Sequence, residues 1–111
     1  DFAVYDEQPH KQGDVVCAPY LDNRIGCVTL IGVMAQLAEL PCDSDVYVAF
    51  TAQEEVGLRG AQTVAFAIQP EYAIAVDVTD TGDLPERKYP MAVKMGEGPA
   101  VKIMDHSVTS R

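Results

Sequence analysis

Apolar and polar positions along the chain predict short strands that alternate with longer helices. Residues 1–12 begin with a short alternating strand pattern and then become polar, as in an exposed turn. The next apolar run, GDVVCAPYLD, ends at Asp22. Residues 23–40 carry apolar side chains on nearly every helical face, which predicts a buried helix. Asp22 or Asn23 would cap this helix, and Pro41 would stop it.

The second half of the chain repeats this alternation. Residues 45–50, DVYVAF, are β-branched, aromatic and apolar, which is typical of a strand covered on both faces of a parallel sheet. A second helix is predicted over residues 58–68, followed by another buried strand over residues 72–79. Residues 80–90 have loop composition, and residues 91–105 suggest two strands about a Gly-rich turn. This order predicts an α/β fold in which helices cover a mostly parallel sheet.

Composition narrows the range of partners. The 111 residues suit one domain, and 48% of them are hydrophobic without any apolar run of membrane length. Seventeen acidic and eight basic side chains give a formal net charge of -9. Because this charge repels phosphate backbones and anionic lipid, we expect neither nucleic acid nor membrane as a partner.

The three cysteines favour a reducing compartment. Their number is odd, they fit no metal-ligand spacing, and Cys17 and Cys27 lie in apolar segments. We therefore expect buried free thiols and a cytoplasmic location. The chain begins at Asp1 without a methionine, which is consistent with a piece of a longer polypeptide.

Acidic side chains lie where three of the apolar runs end. Asp22 closes one run, Glu54 and Glu55 follow a second, and Asp77 lies near the end of a third. The carboxyl ends of parallel strands share one edge of a sheet, where ligands bind in open α/β folds. Carboxylates that converge there repel one another unless protons or cations offset the charge. Oxygen ligands alone would favour magnesium, calcium or manganese, whereas added imidazoles would favour zinc or cobalt.

The adjacent glutamates can divide two tasks, because neighbouring residues at a strand end point in different directions. One can bind a metal ion while the other removes a proton from a metal-bound water. Simpler explanations exist for these acids: a solvated Glu-Glu pair, and a helix cap at Asp22. Asp77 is harder to explain in this way, since an acid within a buried strand needs a partner.

Four segments, in the order LDNRIGC, FTAQEEVGLRGA, AVDVTDTGD and GPAVKIMD, resemble one known family. It is the glutamyl aminopeptidase and cellulase-M-like family of dinuclear metallopeptidases, which includes the tetrahedral aminopeptidases. The resemblance implies a three-layer, zinc-peptidase-like α/β catalytic domain that a smaller β domain interrupts. Residues 1–111 would then form a single partial catalytic domain without the inserted β domain.

The same resemblance implies roles for four residues. Asp22 would bridge two zinc or cobalt ions, Glu55 would bind one ion and Asp77 the other, and Glu54 would act as general base. It implies no further cofactor, a peptide as substrate and a homo-oligomer. Two family histidines that complete the metal ligands are missing from this stretch, and His10 and His106 match neither of them. We therefore expect weak metal binding and weak or no activity from the isolated 111 residues.

Alternative functions stay open from the sequence. A related dinuclear amidohydrolase, such as a carboxypeptidase or a deacylase, would use the same carboxylates. A non-catalytic acidic module could instead bind calcium or serve in assembly. Several neighbouring residues also have more than one interpretation: Arg24 could pair with an acid or be solvated, Gly57 and Gly60 suit a tight turn into a helix, and Asp80 and Asp83 suit a turn near the site.

Overall fold

The fold is seen in a computed structural model that describes residues 3–4, 6–86 and 88–102. Contacts divide the chain into two compact units, Asp1–Val78 and Thr79–Arg111. Among the described residues, the helices and strands all lie in the first unit. They are β1 (His10–Gln12), β2 (Val15–Cys17), α1 (Leu21–Leu37) and α2 (Arg59–Ile68).

Strands β1 and β2 form an antiparallel hairpin in which His10 faces Cys17 and Gln12 faces Val15. Gly13, with a φ of +60°, begins the two-residue turn between them. A two-residue hairpin turn favours residues that accept positive φ, and glycine accepts it without strain. The prediction of an exposed turn was wrong for His10–Gln12, because these polar residues form β1, and much of the predicted early strand lies outside the described residues.

Helix α1 ends three residues before the predicted boundary at residue 40. Asp22 and Asn23 have non-helical dihedral angles and are joined by a cis peptide bond, so the regular helix begins after them. The side-chain oxygen of Asn23 accepts a hydrogen bond from the Gly26 N–H at 3.1 Å, which is an N-cap contact. Of the two predicted caps, Asn23 therefore performs the role.

The prediction that α1 is buried was wrong. Gly26 is its one buried residue, and apolar side chains such as Val28 (62% exposed) and Ile31 (58%) face outward. Among the described residues no hydrophobic side chain is fully buried. A helix that is apolar on every face needs packing partners on every face, and the described part of the chain does not supply them.

The predicted parallel sheet is likewise not formed within the described residues. Residues 45–50 and 72–79 contain no assigned strand, and the sheet that is present has two antiparallel strands. A strand is defined by its hydrogen bonds to a neighbouring strand, so an apolar run without a neighbour stays unassigned. The structure is consistent with a small α/β fold, and it contains too few elements to establish three layers.

Helix α2 begins one residue after the predicted boundary and ends at the predicted one. Gln69 adopts the left-handed conformation (φ 51°) and its N–H donates a hydrogen bond to the Ala65 carbonyl oxygen at 2.8 Å. Pro70 follows and cannot continue the helix. No helix among the described residues is both long and apolar enough to cross a bilayer.

In the second unit, residues 79–86 and 88–102 contain turns but no assigned strand. The Gly82 N–H bonds to the Val93 carbonyl oxygen at 2.6 Å, and Gly96 occupies a turn with a φ of +81°. The Gly-rich turn is therefore confirmed, whereas the two predicted strands are not formed up to residue 102. The rest of the predicted second strand lies outside the described residues.

Candidate active site

The two adjacent glutamates lie in a turn built by backbone hydrogen bonds. The Glu54 carbonyl oxygen accepts the N–H groups of both Gly57 and Leu58, at 3.1 and 3.0 Å. The Gln53 carbonyl oxygen accepts the Arg59 N–H at 3.3 Å. Positive φ angles at Gln53 (61°), Gly57 (107°) and Leu58 (56°) let the backbone reverse within six residues. The turn thus fixes the backbone that carries both glutamates.

A close approach at Gly60 joins this turn to α2. The Gly60 N–H bonds to the Ala52 carbonyl oxygen at 3.1 Å. A Cβ atom at Gly60 would lie 2.6 Å from that oxygen and 2.8 Å from the Ala52 nitrogen. The prediction that Gly57 and Gly60 permit a tight turn and close packing is therefore confirmed. One glycine supplies the positive φ and the other supplies space.

Asn23 joins the segments that carry two of the predicted metal ligands. Its side-chain nitrogen donates a hydrogen bond to the Val76 carbonyl oxygen at 2.9 Å, across 53 positions of sequence. Asp22 precedes Asn23 and Asp77 follows Val76, so the backbones at both acids are held near one another. One carboxylate oxygen of Asp77 also accepts the Val78 N–H at 2.8 Å.

The four predicted site residues do not form a complete cluster. Asp22, Glu54, Glu55 and Asp77 are all exposed. Within the described residues, no group of three or more His, Cys, Asp or Glu side chains is arranged to hold a metal ion. Exposed carboxylates suit a divalent cation in their chemistry, and the hydrogen bond between Asn23 and Val76 brings the Asp22 and Asp77 segments together.

Other candidate residues have different surroundings. The Nδ1 atom of His10 lies 3.7 Å from a Glu7 carboxylate oxygen and 3.2 Å from the Gln8 carbonyl oxygen, within the hairpin region. His106 lies outside the described residues. The guanidinium of Arg24 lies 5.4 Å from the centre of the Tyr20 ring, a cation–π contact that the sequence analysis did not anticipate.

The cysteines and the later aspartates complete the comparison with the sequence. All three cysteines are free thiols, as predicted. Cys17 and Cys27 are half-buried and Cys42 is exposed, so the prediction of burial was wrong for them. Asp83 lies in a turn, as expected, and belongs to the second unit with Asp80.

Comparison with known proteins identifies the family. The model of the M42 glutamyl aminopeptidase family matches residues 1–111. The chain belongs to the M42 glutamyl aminopeptidase family. This finding confirms the resemblance carried by the LDNRIGC and FTAQEEVGLRGA segments.

Three relatives of this M42 chain are named aminopeptidases. A protein of Acetivibrio thermocellus is 55% identical over 108 residues, which is 97% of this chain and 32% of that protein. The lysyl aminopeptidase of Pyrococcus furiosus is 41% identical over 85 residues, 77% of this chain and 24% of that protein. FrvX of Escherichia coli K12 is 40% identical over 97 residues, 83% of this chain and 26% of that protein.

The M42 chain therefore spans between 24% and 32% of the length of these relatives. No solved structure matches it.

Proposed function

We propose that this M42 chain supplies the general base and three carboxylate ligands of a metal-dependent aminopeptidase, which removes N-terminal residues from peptides. The observation that carries the proposal is the hydrogen bond from Asn23 to the Val76 carbonyl oxygen, at 2.9 Å. It holds together two segments, distant in sequence, that each carry a proposed ligand. The aminopeptidase names of the relatives support the same reaction class.

In this proposal Asp22 would be shared by two metal ions, Glu55 would bind one of them and Asp77 would bind the other. Zinc or cobalt, when bound, supplies Lewis-acid activation and lowers the pKa of a bound water toward about 7. The Glu54 carboxylate accepts the proton of the attacking water, a general-base role that typically contributes about 10²- to 10⁴-fold. The backbone bonds from Gly57 and Leu58 hold the Glu54 main chain in place for this role.

In this proposal the complete site includes ligands from outside the 111 residues. The described residues do not gather three ligands, and the family resemblance implies two histidines that this stretch lacks. We therefore propose that activity belongs to a longer polypeptide, with a chain length like that of the relatives, and that the isolated chain is inactive or weak. We also propose a homo-oligomer, from the resemblance, and a cytoplasmic location, which the free thiols support.

The test compares the full-length protein with its Glu54→Gln variant and with Glu71→Gln as a matched control on an exposed residue. We expect Glu54→Gln to lower kcat by about 10²-fold or more because the base is lost. Bound zinc or cobalt, measured by elemental analysis, should stay unchanged, and Glu71→Gln should resemble wild type. The assay measures release of free amino acids from short peptides.

Each other outcome contradicts a stated part of the proposal. Unchanged activity in Glu54→Gln would remove Glu54 from the reaction. Release from the carboxyl end of the peptides, or from acylated amines, would assign a related amidohydrolase instead. Binding of calcium in preference to zinc or cobalt, without peptide cleavage, would identify a non-catalytic acidic module.

A further inference from the structure

We propose that Asn23 is a positioning residue that sets the spacing between Asp22 and Asp77, an inference that rests on the proposed metal-dependent function. The side-chain amide of Asn23 makes two hydrogen bonds in different directions. Its oxygen accepts the Gly26 N–H at 3.1 Å, and its nitrogen donates to the Val76 carbonyl oxygen at 2.9 Å. One bond ties the amide to α1, and the other ties it to the segment that carries Asp77.

The amide is seated by a close contact with Gly26, the buried residue of α1. A Cβ atom at position 26 would lie 2.9 Å from both the Cγ atom and the nitrogen of the Asn23 side chain, and still closer to its oxygen. A larger residue at position 26 would therefore displace the amide. The half-buried Asn23 side chain thus has one fitted position at the start of the regular helix.

The two bonds require both an acceptor and a donor on one short side chain. An amide offers both, whereas an ionised aspartate offers only acceptors and would turn an oxygen toward the Val76 carbonyl oxygen. Serine offers an acceptor for the Gly26 N–H and is a good N-cap, but its side chain is too short to make the second bond as well. A serine at position 23 can therefore keep the helix cap while it removes the hydrogen bond to the Val76 segment.

The link acts on both proposed ligands through the backbone. Asp22 is covalently next to the residue that donates the bond, and Asp77 is next to the residue that accepts it. Without the hydrogen bond between Asn23 and Val76, both carboxylates remain, but the distance between their backbones is no longer fixed. Residues that orient metal ligands typically contribute about 10- to 100-fold to metal affinity.

The experiment uses the full-length protein with Asn23→Ser, Asn23→Ala and the control Thr29→Ala. Thr29 donates a side-chain hydrogen bond to the Ile25 carbonyl oxygen at 2.9 Å within α1, so its removal affects the helix without touching the link. Two readouts are needed. Cobalt affinity is measured by competition with a chelator, and hydrogen exchange of peptides covering residues 72–80 is measured in the metal-free protein.

We expect Asn23→Ser to keep the cap, to bind cobalt about 10- to 100-fold more weakly, and to exchange faster over residues 72–80. Asn23→Ala should show the same two changes with lower thermal stability, because the cap is also lost. Thr29→Ala should match wild type in both readouts.

Wild-type cobalt affinity in Asn23→Ser would overturn the inference, since Asn23 would then be a helix cap alone. The proposed function would survive that result if Glu54→Gln still abolished peptide cleavage. A wild-type protein that binds no divalent ion would overturn both the inference and the proposed function.

Discussion

Two adjacent segments, both predicted from the sequence, behave differently. Residues 52–60 form a tight turn that leads into α2, and each backbone bond of this turn joins groups at most eight positions apart. Residues 45–50, immediately before it, form no strand, although their apolar pattern is strong. The difference shows that near-neighbour hydrogen bonds give a segment its structure even where no core forms around it.

The apolar run at residues 45–50 is only partly covered by other parts of the described chain. Val46, Tyr47 and Phe50 are 53%, 65% and 53% exposed. An open cleft of about 320 Å³ lies along part of the run, and it is lined by Met34, Leu37, Ala38, Val46 and Val48. Helix α1 therefore lies beside this segment without covering it. A buried strand would need pairing partners on its edges and further layers on its faces.

The largest effect is expected when the full-length protein supplies the packing and pairing partners that residues 45–50 lack among the described residues. If residues 45–50 become a strand in the full-length protein, their amide hydrogens should exchange about 10³-fold or more slowly there than in the isolated 111 residues. The turn at residues 52–60 should change less, because its bonds are already local. Hydrogen exchange with mass spectrometry measures both segments in the same samples.

Equal exchange of residues 45–50 in both proteins would contradict this expectation. It would mean that the apolar pattern does not encode a strand even with the complete chain present.

A smaller effect is expected at Gly60, in the turn at residues 52–60. A Cβ atom there would meet backbone atoms of Ala52 at 2.6 and 2.8 Å, and backbone cannot move aside as a flexible side chain can. We expect Gly60→Ala to lower the free energy of unfolding of the full-length protein by about 1–3 kcal/mol. Urea denaturation measures the loss.

Gly32→Ala is the matched control, because a Cβ atom at Gly32 in α1 would meet nothing within 4 Å. This control should raise the free energy of unfolding by up to about 1 kcal/mol, since alanine favours a helix over glycine. A destabilisation of equal size in both variants would show that the contact with Ala52 is unimportant.

The sequence predicted what depends on nearby residues. The bounds of α2, the glycines of the turn and the cap at Asn23 all follow from patterns a few positions long. The link from Asn23 to Val76 had no such signal, because nothing local indicates a partner 53 positions away. The prediction that α1 is buried was wrong for the same reason. An apolar helix face requires packing partners, but its own sequence does not show whether they are present.

The smallest expected effect concerns Asp83, which lies in a turn of the second unit. A hydrogen bond from the Thr81 hydroxyl is the main cause that lowers the pKa of Asp83, and the Met95 N–H, 3.4 Å from the Asp83 carboxylate, contributes. A lowered folded-state pKa means that the charged form stabilises this turn above the unfolded value near 3.8, and that the contribution is lost as the pH falls through the folded pKa.

We expect Thr81→Val to raise the pKa of Asp83 toward that ordinary value, measured by NMR titration of the side-chain carboxyl carbon, and Asp83→Asn to remove the acid-induced loss of protection at the Met95 amide. The effect stays small because the carboxylate is exposed to solvent, which screens the interaction. An Asp83 pKa that Thr81→Val leaves unchanged would show that the hydroxyl bond does not hold this turn. In that case backbone hydrogen bonds alone, like the one between the Gly57 N–H and the Glu54 carbonyl oxygen, would distinguish the turns from the apolar runs.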